Sequence, residues 1–163
     1  MISLIALPVL FLAIAGRERS LTLAFGPIET KEIDFQTLEL GPNPNQFLVC
    51  PTGYCSAEPH LISPIFPVSA DTMRQRWNAL IKTQPRIEIG KADDNEMQYD
   101  YIQRSSLMRY PDSITVKFID LDNDSSTLAI YSRSHYGKSD FGVNESRIQA
   151  WLSALNDAAV VQG

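Results

Sequence analysis

"SITVKFIDLDNDSSTLAIYSRS", Ser113 to Ser134, is the stretch whose reading decides the fold. Ile114, Val116 and Phe118 alternate with Thr115 and Lys117. Successive strand residues point to opposite faces, so this pattern predicts a strand with one buried side. "DNDS" at 122–125 is turn chemistry, and Leu128 and Ile130 bring the chain back. A link this short favours antiparallel pairing, because parallel strands need a crossover of about a dozen residues or more.

Outward from that hairpin the same logic holds. Upstream, "EMQYDYIQ" places Met97, Tyr99 and Tyr101 on one strand face, "RIEIG" alternates, and "SLMRY" leads to a Pro111-Asp112 turn. Before them, "SADTMRQRWNALIKTQP" reads as a helix. Ser69 is the N-cap, Asp71 suits the first turn, Met73, Trp77, Leu80 and Ile81 form one apolar stripe, and Pro85 stops it. Downstream, Asn144 is placed to cap a second helix carrying Ile148, Trp151, Leu152 and Leu155. The order predicts an α+β fold: a curved antiparallel sheet of four to six strands with two helices packed on one face. Trp77 and Trp151 are expected against the sheet. The layout resembles small helix-grip folds that enclose apolar ligands, an analogy at the level of fold alone.

The expected domain spans 46–157, with a tail at 158–163. Residues 16–45 hold Pro27, Pro42 and Pro44 with Gly26 and Gly41 and read as an arm or linker with little independent structure, its Ile33, Phe35, Leu38 and Leu40 laid onto the domain. Residues 1–15 include an apolar run from Leu4 to Ala15, shorter than the roughly 20 residues a spanning helix needs. Three fates fit it: a signal cleaved after Ala13-Ile14-Ala15, a retained membrane anchor, or a buried segment. Arg17 and Arg19 would favour a cytoplasmic flank, against the first of these. The chain has 163 residues and a formal net charge of −5, which argues against a nucleic-acid partner.

Cys50 and Cys55, the only cysteines, stand in "CPTGYC". A disulfide between them is expected, ahead of free thiols or a metal site, because two ligands alone make no structural zinc site and only His60 lies near as a third. A disulfide would imply an oxidising compartment.

"YSRSHYGKSDFGVNESRI", Tyr131 to Ile148, concentrates polar chemistry. Gly137-Lys138-Ser139 resembles the end of a P-loop, but Ser132 stands where the first glycine belongs. Ser134, His135 and Asp140 are triad residue types, yet Ser134 and His135 point to opposite faces of a strand and no nucleophile elbow exists. Asp120, Asp122 and Asp124 alternate as in a calcium loop without its glycine or final glutamate. No catalytic set, metal or cofactor is therefore expected. What remains is an ionic cluster of Arg109, Asp112, Arg133, His135, Asp140 and Arg147. It reads either as structural pairing, with Arg133 or Arg109 holding Asp140 between Gly137 and Gly142, or as a site for an anion or a partner.

The same stretch resembles the C-terminal signature of domain-of-unknown-function family 1499, roughly R-S-x-S-x-x-G-x-S-D-x-G-x-N-x-x-R. Ser132, Ser134, Gly137, Ser139, Asp140, Gly142, Asn144 and Arg147 occupy its places, with Tyr131 where the first arginine stands. "LMRYPDSITV" and "PNQFLVCPTGYC" resemble two further family segments. The resemblance runs from about Pro44 to Leu155 and implies no established activity. It implies a preceding signal or membrane segment. The expectation is thus a non-enzymatic, extracytoplasmic module, membrane-tethered or secreted, serving a protein partner as accessory subunit of a membrane complex. A binder of lipid or another apolar molecule is the alternative, and a hydrolase using His135 the least favoured.

Overall fold

The computed structural model describes residues 16, 19, 21–23, 28, 31–122 and 124–160. The apolar run at 1–15 lies outside them, as do Asn123 of the hairpin turn and the end of the tail. The elements are β1 (Gln46–Cys50), β2 (Leu61–Ile62), α1 (Ala70–Thr83), β3 (Ile87–Asp93), β4 (Gln98–Arg104), β5 (Pro111–Leu121), β6 (Ser125–Ser134) and α2 (Val143–Val160). They form an α+β unit around one six-stranded sheet of order β2-β1-β6-β5-β4-β3.

The deciding hairpin forms as expected. Asp112 pairs with Ser134 and Leu121 with Ser125, in an unbroken antiparallel register. The sheet is mixed rather than wholly antiparallel: β2 runs parallel to β1 over two residues. The loop joining them carries the chain back beside Leu48, whose carbonyl accepts the His60 amide at 2.9 Å, before β2 runs on along Val49 and Cys50. A second difference concerns "SLMRY" and the turn expected after it. Residues 105–110 are the β4–β5 loop, closed by the Ser105 amide on the Tyr110 carbonyl at 2.9 Å, and Pro111 and Asp112 open β5. Met97 sits in the turn before β4 with φ 52°.

Both helices pack on one face. Ile114, Val116, Phe118, Leu128 and Ile130 point into it and meet Met73, Trp77, Ile81, Ile148, Trp151 and Leu155. Trp77 stands edge-on to Trp151 at 5.4 Å and to Phe118 at 6.0 Å, so aromatic rings fill the space between helices and sheet. Ser69 caps α1 as read from its position, its hydroxyl accepting the Thr72 amide at 3.3 Å. Asp120, from the calcium-like run, accepts the Ala70 amide at 2.7 Å and so holds the same helix start to β5.

The other face is covered as well. Ile33 and Phe35 of the arm pack with Leu48, Cys50, Ala129 and Tyr131. Cover on both faces explains why β6 is buried almost without alternation. Cys50 and Cys55 form a disulfide that closes the first turn after β1.

Candidate functional site

The polar stretch wraps one end of the sheet. Gly137 and Gly142 take φ values of 85° and 77°, open to glycine at little cost, and the chain between them doubles back. This turns the Asp140 carboxylate toward the start of α2. It accepts the Gly142 amide at 3.1 Å and the Asn144 amide at 2.8 Å. Asp140 is thus the capping side chain, and the expected N-cap, Asn144, lies inside the first turn. The Ser146 amide donates to the Gly142 carbonyl at 2.9 Å, which makes Gly142 the backbone cap.

Asn144 has another task. Only 1% exposed, it accepts from the Ser132 hydroxyl at 2.5 Å and from Arg147 at 2.9 Å through Oδ1. Its Nδ2 lies 2.6 Å from Asp140 Oδ2, 3.1 Å from Ser134 Oγ and 3.2 Å from the Asn45 carbonyl. Arg147 reaches Asp112 at 2.6 Å, with about a tenth of each side chain exposed. Asp112 also accepts from Ser134 at 2.6 Å. Ser132, Ser134, Asp140, Asn144 and Arg147, spaced along the signature, are thus one network joining α2 to β5, β6 and the residue before β1. Asn45, which donates to the Gly137 carbonyl at 2.8 Å, belongs to it and was not singled out from sequence. The network is satisfied by its own members, which is the pattern of a structural joint.

Asp140→Ala is expected to cost about 1–3 kcal/mol, because two helix-start amides and Asn144 lose their acceptor. Lys138→Ala, at an exposed position, is expected to stay within about 0.5 kcal/mol of wild type. Urea melts of both variants decide; equal midpoints would remove the capping role.

Arg133 does not join Asp140. Asp112, Ile114, Ser132 and Ser134 share the helix-covered side, whereas Arg133 and His135 are of the other parity and point to the arm-covered side. Arg109 lies in the 105–110 loop with φ 62°, not on a strand. The triad types are equally dispersed: Ser134 bonds Asp112, Asp140 caps α2, and His135 Nε2 lies 2.5 Å from Ser113 Oγ. That pair is a hydroxyl beside a base, the minimum a hydrolase would need. Ser113 sits inside the ladder between Ile102 and Arg133, where the backbone amides belong to the sheet and build no oxyanion hole.

Burial holds His135 below the ordinary histidine value, helped by the Arg133 charge and opposed by Asp112. Between its folded value and the unfolded value of about 6.5 the unfolded chain binds the extra proton. Stability should therefore fall as pH drops through that window and be fully regained above it. His135→Gln is expected to flatten this slope in urea midpoints taken at about pH 7.5 and about pH 5. An unchanged slope would assign the acid sensitivity elsewhere.

On the arm-covered side a cavity of about 270 Å³ opens between Lys31–Ile33 and the sheet. Thr115, Tyr131 and Arg133 form much of its wall, with Asp100, Lys91 and Ser113. Thr115 donates to Asp100 at 2.6 Å, and the Arg133 guanidinium lies 5.7 Å from the centre of the Tyr131 ring. Burial raises Asp100 above the usual carboxylate value, with Thr115 and Lys91 pulling the other way. Among the described residues no group of His, Cys, Asp and Glu is arranged to hold a metal, and no helix is long and apolar enough to cross a membrane.

The chain is distantly similar to several solved structures, two of which illustrate the likeness. The di-domain ARO/CYC BexL from the BE-7585A biosynthetic pathway aligns at 13% identity and TM-score 0.43, over 58% of this chain and 43% of its own. Ara h 8.0201 aligns at 12% identity and TM-score 0.45, over 71% of this chain and 97% of its own. No curated protein matches the sequence. The family model described as "Protein of unknown function (DUF1499)" matches residues 38–155, which takes in β1 through most of α2, the disulfide and every member of the buried network. With most of its length so matched, the chain belongs to the DUF1499 family.

Proposed function

We propose that this protein is a non-enzymatic module held on the extracytoplasmic side of a membrane, where it serves a protein partner as an accessory subunit. The observation that carries this reading is the crowding of exposed apolar side chains at one end of the sheet. Leu107 and Met108 in the β4–β5 loop are 70% and 43% exposed, and Phe141 before α2 is 96% exposed. The two loops are tied by Tyr110 against Tyr136, ring centres 6.2 Å apart. Leu21 and Thr22, which follow the apolar run in sequence, line a hollow with Pro111 and Tyr136 at this same end. An apolar tip beside the arriving N-terminal chain suits a surface covered by a membrane complex. The disulfide accords with an oxidising compartment.

The alternative, an apolar ligand between helices and sheet, is disfavoured by the tryptophans and Phe118 that occupy that space. The test is fractionation of cells expressing the full chain, followed by crosslinking in native membranes. The full chain is expected in the membrane fraction, and a recurrent crosslinked partner is expected to vanish in Leu107→Ser/Phe141→Ser. A full chain found only in a reducing soluble fraction, or a partner indifferent to those substitutions, would overturn the reading.

A further inference from the structure

We infer that the cavity between the arm and the sheet is a binding site for a small anion, a carboxylate or phosphate group, with Arg133 as its anchor. This does not depend on the partner-binding reading above, since it concerns the arm-covered face and not the exposed apolar tip.

Arg133 is half-buried and forms no salt bridge among the described residues. Its counterparts differ: Arg147 is paired with Asp112, Arg74 with Asp71 and Arg104 with Glu88. The Tyr131 side chain takes one hydrogen bond from Arg133, which leaves a guanidinium drawn partly out of water with further donors to satisfy, and a planar oxyanion meets two of them at once. The neighbouring acids do not supply one. Asp100 is near enough for the Arg133 charge to act on it, yet its Oδ1 is held by Thr115 and it makes no salt bridge to Arg133, and Glu32 is bound to Lys91 at 2.8 Å. The Tyr131 ring beneath fixes the guanidinium by a cation–π contact but offers no charge.

The remaining wall suits the same class of ligand. Ser113 can donate its one hydroxyl proton to a ligand when His135, at 2.5 Å, is in the tautomer whose Nε2–H donates to Ser113 Oγ. Lys31 and Lys91 stand at the rim, so three cations face two carboxylates around the cavity. The volume of about 270 Å³ is slightly below the range of about 300–1,000 Å³ usual for small-molecule sites, which limits the occupant to a compact anion or the head group of a larger molecule. Residues 113, 115, 131 and 133 alternate with the core positions of β5 and β6, so the site is built on two central strands rather than on loops.

The test uses the full chain and three probes: inorganic phosphate, succinate, and vesicles of phosphatidylcholine with or without phosphatidylglycerol. Titration is followed by calorimetry and by the Nε–Hε resonance of Arg133 in the wild-type chain, which needs no variant. Saturable binding of phosphate or succinate that moves this resonance, weakened at least about tenfold in Arg133→Gln, supports a free anion as ligand. Binding only to phosphatidylglycerol vesicles, with the same Arg133 dependence, supports a lipid head group as its source. Lys138→Ala serves as the control for general charge. No saturable binding to any probe, or binding that leaves the Arg133 resonance in place and survives Arg133→Gln, would overturn the proposal.

Discussion

Arg147→Ala is expected to lose about 3–5 kcal/mol of stability, the range found when one partner of a buried ion pair is removed. The Asp112 carboxylate, 9% exposed, would keep only the Ser134 hydroxyl at 2.6 Å as its bonded partner. Asn144 Oδ1 and Ser132 Oγ lose a donor in the same step, so the damage runs through the whole network. The double variant Asp112→Leu/Arg147→Met should recover part of the loss, because no bare charge is left inside. It should not recover all, because Ser132, Ser134 and Asn144 were built around that pair. Urea unfolding of the three chains gives the comparison. An Arg147→Ala midpoint within about 1 kcal/mol of wild type would mean the pair is solvated and the joint is held by packing alone.

The same network shows where sequence reasoning succeeds and where it stops. Strand parity was legible: Ile114, Val116 and Phe118 face the helices as their alternation predicts. So was the helix stripe of Met73, Trp77 and Ile81, and the cap at Ser69. Parity also separates Arg133 from Asp112 once the hairpin register is known, and the expected Arg133–Asp140 pair fails because Asp140 bonds Asn144, which lies with Asp112 on the helix-covered side. The Asp112–Arg147 pair was not legible, since 35 residues and the docking of α2 lie between its members. Asn144 misleads for a different reason. It has the residue type and position of a cap, yet two left-handed glycines turn Asp140 into that place and leave Asn144 facing inward. Family membership follows from the spaced signature, and the structure supplies its physical sense: several of its polar positions meet in one buried cluster.

Phe35→Ala is expected to cost about 3–5 kcal/mol, although Phe35 lies outside the residues matched by the family model. Its side chain is 2% exposed and fills the layer over Leu48, Cys50, Ala129 and Tyr131. The arm is held there by more than apolar contact. Its Phe35 carbonyl accepts the Ser56 amide at 3.1 Å, its Leu38 carbonyl accepts the Ser56 hydroxyl at 2.5 Å, and its Ile33 carbonyl accepts Gln98 at 2.8 Å. Those bonds hinder the arm from collapsing into the space left by the ring, so the cavity penalty should persist. A chain shortened to begin at Gly41 should show the larger version of the same effect, with Leu48 and Ala129 uncovered and aggregation as the visible result. The rival expectation is an arm that contributes little structure. On that view Phe35→Ala unfolds at the wild-type urea concentration and the shortened chain stays monomeric. The two views also differ on the cavity, one of whose walls is Lys31–Ile33. If the arm is fixed by Phe35, Phe35→Ala should weaken anion binding along with stability, whereas Arg133→Gln should weaken binding with the smaller loss of stability.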